Sequence, residues 1–266
     1  MLHKTSNRTQ KDGIDKIDEQ KNIVAYLDDR CSKIDAIIAE AKASIEEYKE
    51  LKQSVIDEAF PVEQRTGRLK HFGVVKTGPF GTQLSANEYV ADGVPCINVK
   101  NISYGVLNSE DLDYLPESVA ERLSEHRLEL DDIVFARKGS IDKHAIIMQE
   151  QVGWVQGSDC IRLRLREDVL QADYVNLYIG STFVNEYLAA YSNGATMASL
   201  NSSTIGNIPI VIPDVKIQTE IVLSLHKKLT DINALISEKQ SLIADLEAYK
   251  KSLIYEVVTG KRKVVA

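Results

Sequence analysis

The sequence predicts an α+β fold: one globular domain, mixed and β-rich, flanked by two long helices that form an antiparallel coiled coil. The stretch QKNIVAYLDDRCSKIDAII at Gln20 returns as QTEIVLSLHKKLTDINALI at Gln218. Both copies lack Gly and Pro and sustain a seven-residue apolar repeat, the pattern of long packed helices. Between them the period shortens to β-branched runs separated by turn residues.

The expected order is an N-terminal tail (1–16), a first helix (17–60), the globular domain (61–214), a second helix (215–260) and a C-terminal tail (261–266). At constant offset the copies share Gln20/Gln218, Ile23/Ile221, Val24/Val222, Leu27/Leu225, Ile34/Ile232, Ile38/Ile236 and Ile45/Ile243, and the match resumes at Lys52/Lys250 and Glu58/Glu256. The seam residues expected to pack are Val24, Leu27, Ile34, Ile38 and Ile45 against Val222, Leu225, Ile232, Ile236 and Ile243. Each copy is then a rod of about 40 residues, roughly 60 Å long. Pro61 and Pro213 mark its boundaries with the domain. Lys52 and Lys250 fall on seam positions, where a lysine either fixes the register or reaches solvent from a rod end. A duplicated surface folded back on itself has pseudo-twofold character.

In the domain, HFGVVKTG, VPCINVKNI, DDIVFARKGSI, AIIMQEQVGWV, CIRLRLR and IPIVIP read as strands. Alternation in CIRLRLR predicts one buried face and one wet face carrying Arg162, Arg164 and Arg166. ADYVNLYIGSTFVNEYLAAYS reads as one helix, and the acidic SEDLDYLPESVAERLSEHRLELDD as a solvated helix and loop.

Composition excludes several functions. The net charge is −7, which argues against a nucleic-acid binder unless a local cluster or a partner supplies positive charge. No apolar run approaches the roughly 20 residues of a membrane span, and the polar N-terminus lacks a secretion signal, so a cytoplasmic protein without membrane partners is expected. Cys31, Cys96 and Cys160 are far apart, without CxxC or neighbouring His pairs, and read as buried apolar residues rather than a disulfide or zinc site. No phosphate loop, nucleophile elbow or metal spacing appears.

Three loops gather groups suited to DNA. KTGPFGTQLSANEY has Gly78 and Gly81 for close backbone approach, Lys76, Thr77, Thr82 and Gln83 as polar contacts, and Tyr89 as a stacking face. ARKGSIDKH carries Arg137, Lys138, Ser140 and Lys143 for phosphate or guanine. YSNGATMASLNSST offers Asn193, Thr196, Asn201 and Ser202. Lys100 and Asn101 of VPCINVKNI complete the candidate set.

The chain resembles a type I restriction-modification DNA-specificity (S) subunit. IPIVIPDVKIQTEIV, EQKNIVAYLDDRCSKID, DDIVFARKGSID and GVPCINVKNIS carry the resemblance, which runs from about Ile17 onward. Combined with the repeated helix they are more specific than any one motif. S subunits of this family usually hold two target-recognition domains separated and followed by spacer helices, whereas this chain has both helices and one domain. The resemblance implies a half-subunit that pairs with a second copy and reads half of a bipartite double-stranded DNA target. It also implies no chemistry or cofactor in this chain. Modification subunits would use S-adenosylmethionine, and a restriction subunit ATP and Mg. A coiled-coil adaptor that never touches DNA is the alternative, and a nuclease would need a carboxylate pair beside a lysine that the sequence does not offer.

Overall fold

The computed structural model describes residues 4–60, 67–166, 169–192 and 199–264, with side chains from Glu19 onward. In chain order its elements are α1 (Lys4–Ala59), β1 (Gly67–Arg68), β2 (Gly73–Thr77), β3 (Val94–Ile97), β4 (Tyr104–Gly105), β5 (Asp113–Leu115), α2 (Glu117–Arg122), β6 (Ile133–Ala136), β7 (His144–Ile146), β8 (Val155–Gln156), β9 (Cys160–Leu165), α3 (Ala172–Ile179), α4 (Thr182–Tyr191), α5 (Ser202–Gly206), β10 (Pro209–Ile210) and α6 (Val215–Val258). The long helix α1 starts at Lys4, ahead of the expected 17, because nothing before Gln20 but Gly13 opposes a helix and a single glycine costs only about 1 kcal/mol. Pro61 lies outside the described residues.

The chain divides into two compact units, with boundaries at Lys52/Gln53 and Lys228/Leu229. In the helical unit, Ile34, Ile38, Leu253 and Val257 are buried together, flanked by Ile23, Tyr26, Leu27, Ile243 and Leu246. Lys250 grips Asp35 at 2.6 Å, and Lys52 donates to Asn233 Oδ1 at 3.1 Å. Seventeen residues forward on α1 correspond to seventeen back on α6, as antiparallel pairing requires. The repeat that maps Lys52 onto Lys250 also maps Asp35 onto Asn233, so the two contacts are one contact seen twice across a pseudo-twofold axis. Both seam lysines thus reach a polar partner on the opposite helix. Ile45 and Ile232 are buried, and Ile236 is half-buried. Val24 corrects the expected seam: it is 56% exposed, because Ile23, Tyr26 and Leu27 take the inward positions.

In the globular unit, one sheet has the order β2-β9-β6-β7-β4, a second β5-β3-β8, and β1 pairs β10. Strand β9 lies between β2 and β6 and runs antiparallel to both. The expected wet face fails at Arg162, only 5% exposed, because the buried Asp132 and the Arg127 carbonyl lie over it. Arg162 Nη1 donates to the Arg127 carbonyl at 2.8 Å. Arg164 clamps the fully buried Asp132 through Nε and Nη2, both at 2.7 Å.

Among the described residues, one buried apolar cluster gathers Cys96, Leu115, Val119, Leu123 and Val155 and another Ile97, Ile102, Leu128, Val134 and Cys160. Burial pushes the Cys96 thiol up to about 12, as expected of a cysteine serving as an apolar residue. The acidic stretch is not merely solvated: Leu115 at the end of β5, Val119 and Ala120 on α2 and Leu123 at its C-cap turn inward and build the first cluster. The single expected helix at 172–191 is two, broken at Gly180, where Ser181 caps α4 by accepting from Val184 N at 3.4 Å. Asp57, on the last turns of α1, receives both the backbone N–H and the hydroxyl of Thr182. Phe60 is held edge-on between Tyr174 and Tyr178, at 5.4 and 5.3 Å.

Candidate nucleic-acid interface

Three strand ends meet at one edge of the five-stranded sheet. The register sets Thr77, the end of β2, opposite Ile161, and Ala136, the end of β6, opposite Cys160, the start of β9. Backbone bonds stitch the emerging loops together: Gly78 N to Cys160 O and Arg137 N to Asp159 O, at 2.9 and 2.8 Å. Leu200 N donates to Arg137 O at 2.8 Å, and Ser199 bridges Lys138. Gln156, fully buried, ties the layer from behind by donating to the carbonyls of Lys76 and Cys160. The three loops singled out from sequence therefore converge on one edge, although they are far apart along the chain.

Within this edge Lys76 and Thr77 are half-buried on β2, and Gly81, Thr82 and Gln83 are exposed in a 3-10 turn where Gly81 adopts φ 65°. Arg137 is half-buried, Lys138 and Ser140 are exposed, and Lys143 closes the turn by donating its N–H to Ser140 O at 3.2 Å. Gly139 supplies the positive φ of 79° that this turn needs. Asn201 caps α5, accepting from Thr204 N at 2.9 Å, and Ser202 opens that helix. Asn193 and Thr196 lie outside the described residues.

Three readings are corrected. Gly78 is buried, and a Cβ there would collide with the Gly157 carbonyl, so its bareness serves loop packing rather than approach to a ligand. Asn101 is fully buried and spends its side chain on Asn98 N and on the carbonyls of Asn108 and Glu110, which removes it from a DNA-facing set. Tyr89 packs against the cluster around Cys96, and burial raises its hydroxyl pKa, so the ring does not stand free for stacking. Lys100 is held by Asp113 and Asp111, which raise its pKa.

Two groups went unread in the sequence. Phe80 is 62% exposed between Pro79 and Gly81; an aromatic inside a turn sequence was the available signal. Lys76 Nζ lies 2.5 Å from Glu125, and Lys138 Nζ lies 3.1 Å from Asp159. The bond from Lys76 holds the Glu125 carboxyl below its usual range. His126 is buried beside this pair, and its pKa is lowered by burial and by the charges of Lys76 and Arg162. Among the described residues no cluster of His, Cys, Asp or Glu could hold a metal ion, and no helix is long and apolar enough to cross a membrane. A groove of about 680 Å³ on the same unit, lined by Leu130, Arg164, Gln171, Val222 and Leu223, shares no residue with the stitched edge.

Fold and edge together define a class: a β-rich, loop-presenting domain joined to a pair of repeated helices. The family model described as Type I restriction modification DNA specificity domain matches residues 61–244, and the chain belongs to that family. It is 23% identical over 231 residues to the Type I restriction enzyme MjaVIII specificity subunit of Methanocaldococcus jannaschii, covering 82% of this chain and 50% of that protein. The fold matches a chain from work on complex assembly and conformational transition of the type I R-M system, with TM-score 0.70 and 14% identity over 91% of this chain and 59% of the other. It also matches the HsdS subunit from Thermoanaerobacter tengcongensis, with TM-score 0.54 and 14% identity over 90% of this chain and 58% of that one. The chain thus spans about half the length of the curated relative.

Proposed function

We propose that the chain reads one half of a bipartite double-stranded DNA target for a type I restriction-modification complex and does no covalent chemistry itself. The convergence of three sequence-distant loops on one sheet edge carries this reading, because that edge gathers cations for phosphates with amides and hydroxyls for base edges. Modification subunits using S-adenosylmethionine would dock on the helices. A restriction subunit would supply ATP- and Mg-dependent cleavage, all in the cytoplasm where the DNA lies. The test is duplex binding by the full chain and by R137A and K138A across a salt series. Both substitutions should weaken binding without changing the melting temperature, and R137A should also lower the salt slope by about 0.9. Unchanged affinity in both would overturn the assigned edge, and no binding even at low salt would favour the adaptor reading that the net charge of −7 suggests.

The repeat supports a paired reader. Gln218 is fully buried, donating to the carbonyls of Val169 and Pro213 and accepting from Gln171 N, all at 2.9 Å. Its counterpart Gln20 is exposed. We infer that the stretch of α1 around Gln20 offers a second seat for a recognition domain, supplied by another copy of the chain. Two identical readers imply a palindromic target with a fixed gap. Light scattering with the modification subunit should give two copies of this chain per complex; a single copy would contradict the pairing.

A further inference from the structure

We propose that Glu125 and Asp159 are specificity-determining residues, which occupy Lys76 and Lys138 and so suppress sequence-independent binding to phosphates. This rests on the reading of the stitched edge as the DNA face. Lys76 stands one residue before the end of β2 and Lys138 two residues past the end of β6, and each ammonium lies close to one carboxylate, at 2.5 Å for Lys76–Glu125 and 3.1 Å for Lys138–Asp159. Glu125 is 82% exposed, and the Asp159 side chain 43%. Exposed pairs of this kind contribute little to folding. The position of Asp159 is fixed instead by its carbonyl, which accepts from Arg137 N at 2.8 Å.

The chemistry separates two kinds of contact. A phosphate has only acceptor oxygens, so it meets repulsion from the carboxylate and gains little from a lysine already neutralised. A base edge can donate to the same carboxylate through cytosine N4 or adenine N6. The pairs therefore penalise backbone contact while leaving base contact open, as a reader scanning a large excess of wrong sites requires.

The test uses the full chain, E125Q, D159N and the double variant on a duplex of arbitrary sequence, titrated across salt. Each freed lysine should steepen the slope of log affinity against log salt by about 0.9, equivalent to roughly eightfold tighter binding near 0.1 M salt. The two gains should add in the double variant. They should vanish when the freed lysine is also removed, in K76M/E125Q and K138M/D159N. Unchanged slopes in folded variants, a change in melting temperature alone, or gains that survive loss of the lysine would overturn the proposal. If the wild-type chain shows no salt-dependent binding, the DNA reading itself fails, an outcome distinct from a binding chain that ignores these substitutions.

Discussion

The two copies of the repeated helix begin alike and end up in different surroundings. Near the start of the second copy, Gln218 and Leu225 are buried and Val222 is 8% exposed; near the start of the first, Gln20 is exposed, Val24 is 56% exposed and Leu27 half-buried. Further along, the copies behave alike, since Asp35–Lys250 and Asn233–Lys52 form the same contact in both directions. A shared helical pattern thus fixes a shared helix and a shared seam, whereas burial outside the seam depends on what lies against it. At α6 the covering is the segment Val169–Gln171 of the same unit.

The sharpest way to break this contrast is to place a charge at the matched valines. V222D buries an unpaired carboxylate and should cost about 3 kcal/mol or more in denaturant unfolding, whereas V24D should stay within about 0.5 kcal/mol. V24D should nonetheless abolish pairing of copies in light scattering. Next in size is the matched glutamine: Q218A strands three partly buried backbone groups and should cost about 2 kcal/mol, while Q20A leaves stability unchanged. Smaller again, K250A and K52A should each cost under about 1 kcal/mol. Only the K250A loss should shrink at high salt, because Lys250 faces a carboxylate and Lys52 an amide.

The smallest expected effect is a pH dependence from His126 in the globular unit. Its pKa is lowered in the folded chain, chiefly by burial and then by the charges of Lys76 and Arg162, while Glu125 opposes them. The unfolded histidine takes its proton near pH 6.5. The stability this neutral histidine contributes is therefore complete above that value and is lost as pH falls through the folded pKa. Unfolding curves at pH 7, 6 and 5 should show that decline, and H126Q should flatten it.

The helices were legible because a seven-residue repeat over dozens of positions has no other explanation, and the repeat itself showed that they pair. Val24 misled because position in the pattern was taken for burial. Arg162 is the opposite case: alternation marks two faces of a strand, but only the tertiary fold brings Asp132 and the Arg127 carbonyl over one of them. In the loops the residue types were visible, and their convergence was not. Asn101 and Tyr89 have the side chains of a binding surface, yet tertiary contacts consume them. The Lys76–Glu125 pairing joins elements 49 residues apart, beyond what local spacing reveals.

The most direct test is to express the chain with a modification subunit encoded beside it and to map methylated adenines across the host genome by long-read sequencing. Methylation at a single palindromic motif, two identical half-sites around a fixed gap, lost in R137A and K138A, is the predicted result. No new methylated motif, with both proteins present and folded, would contradict it.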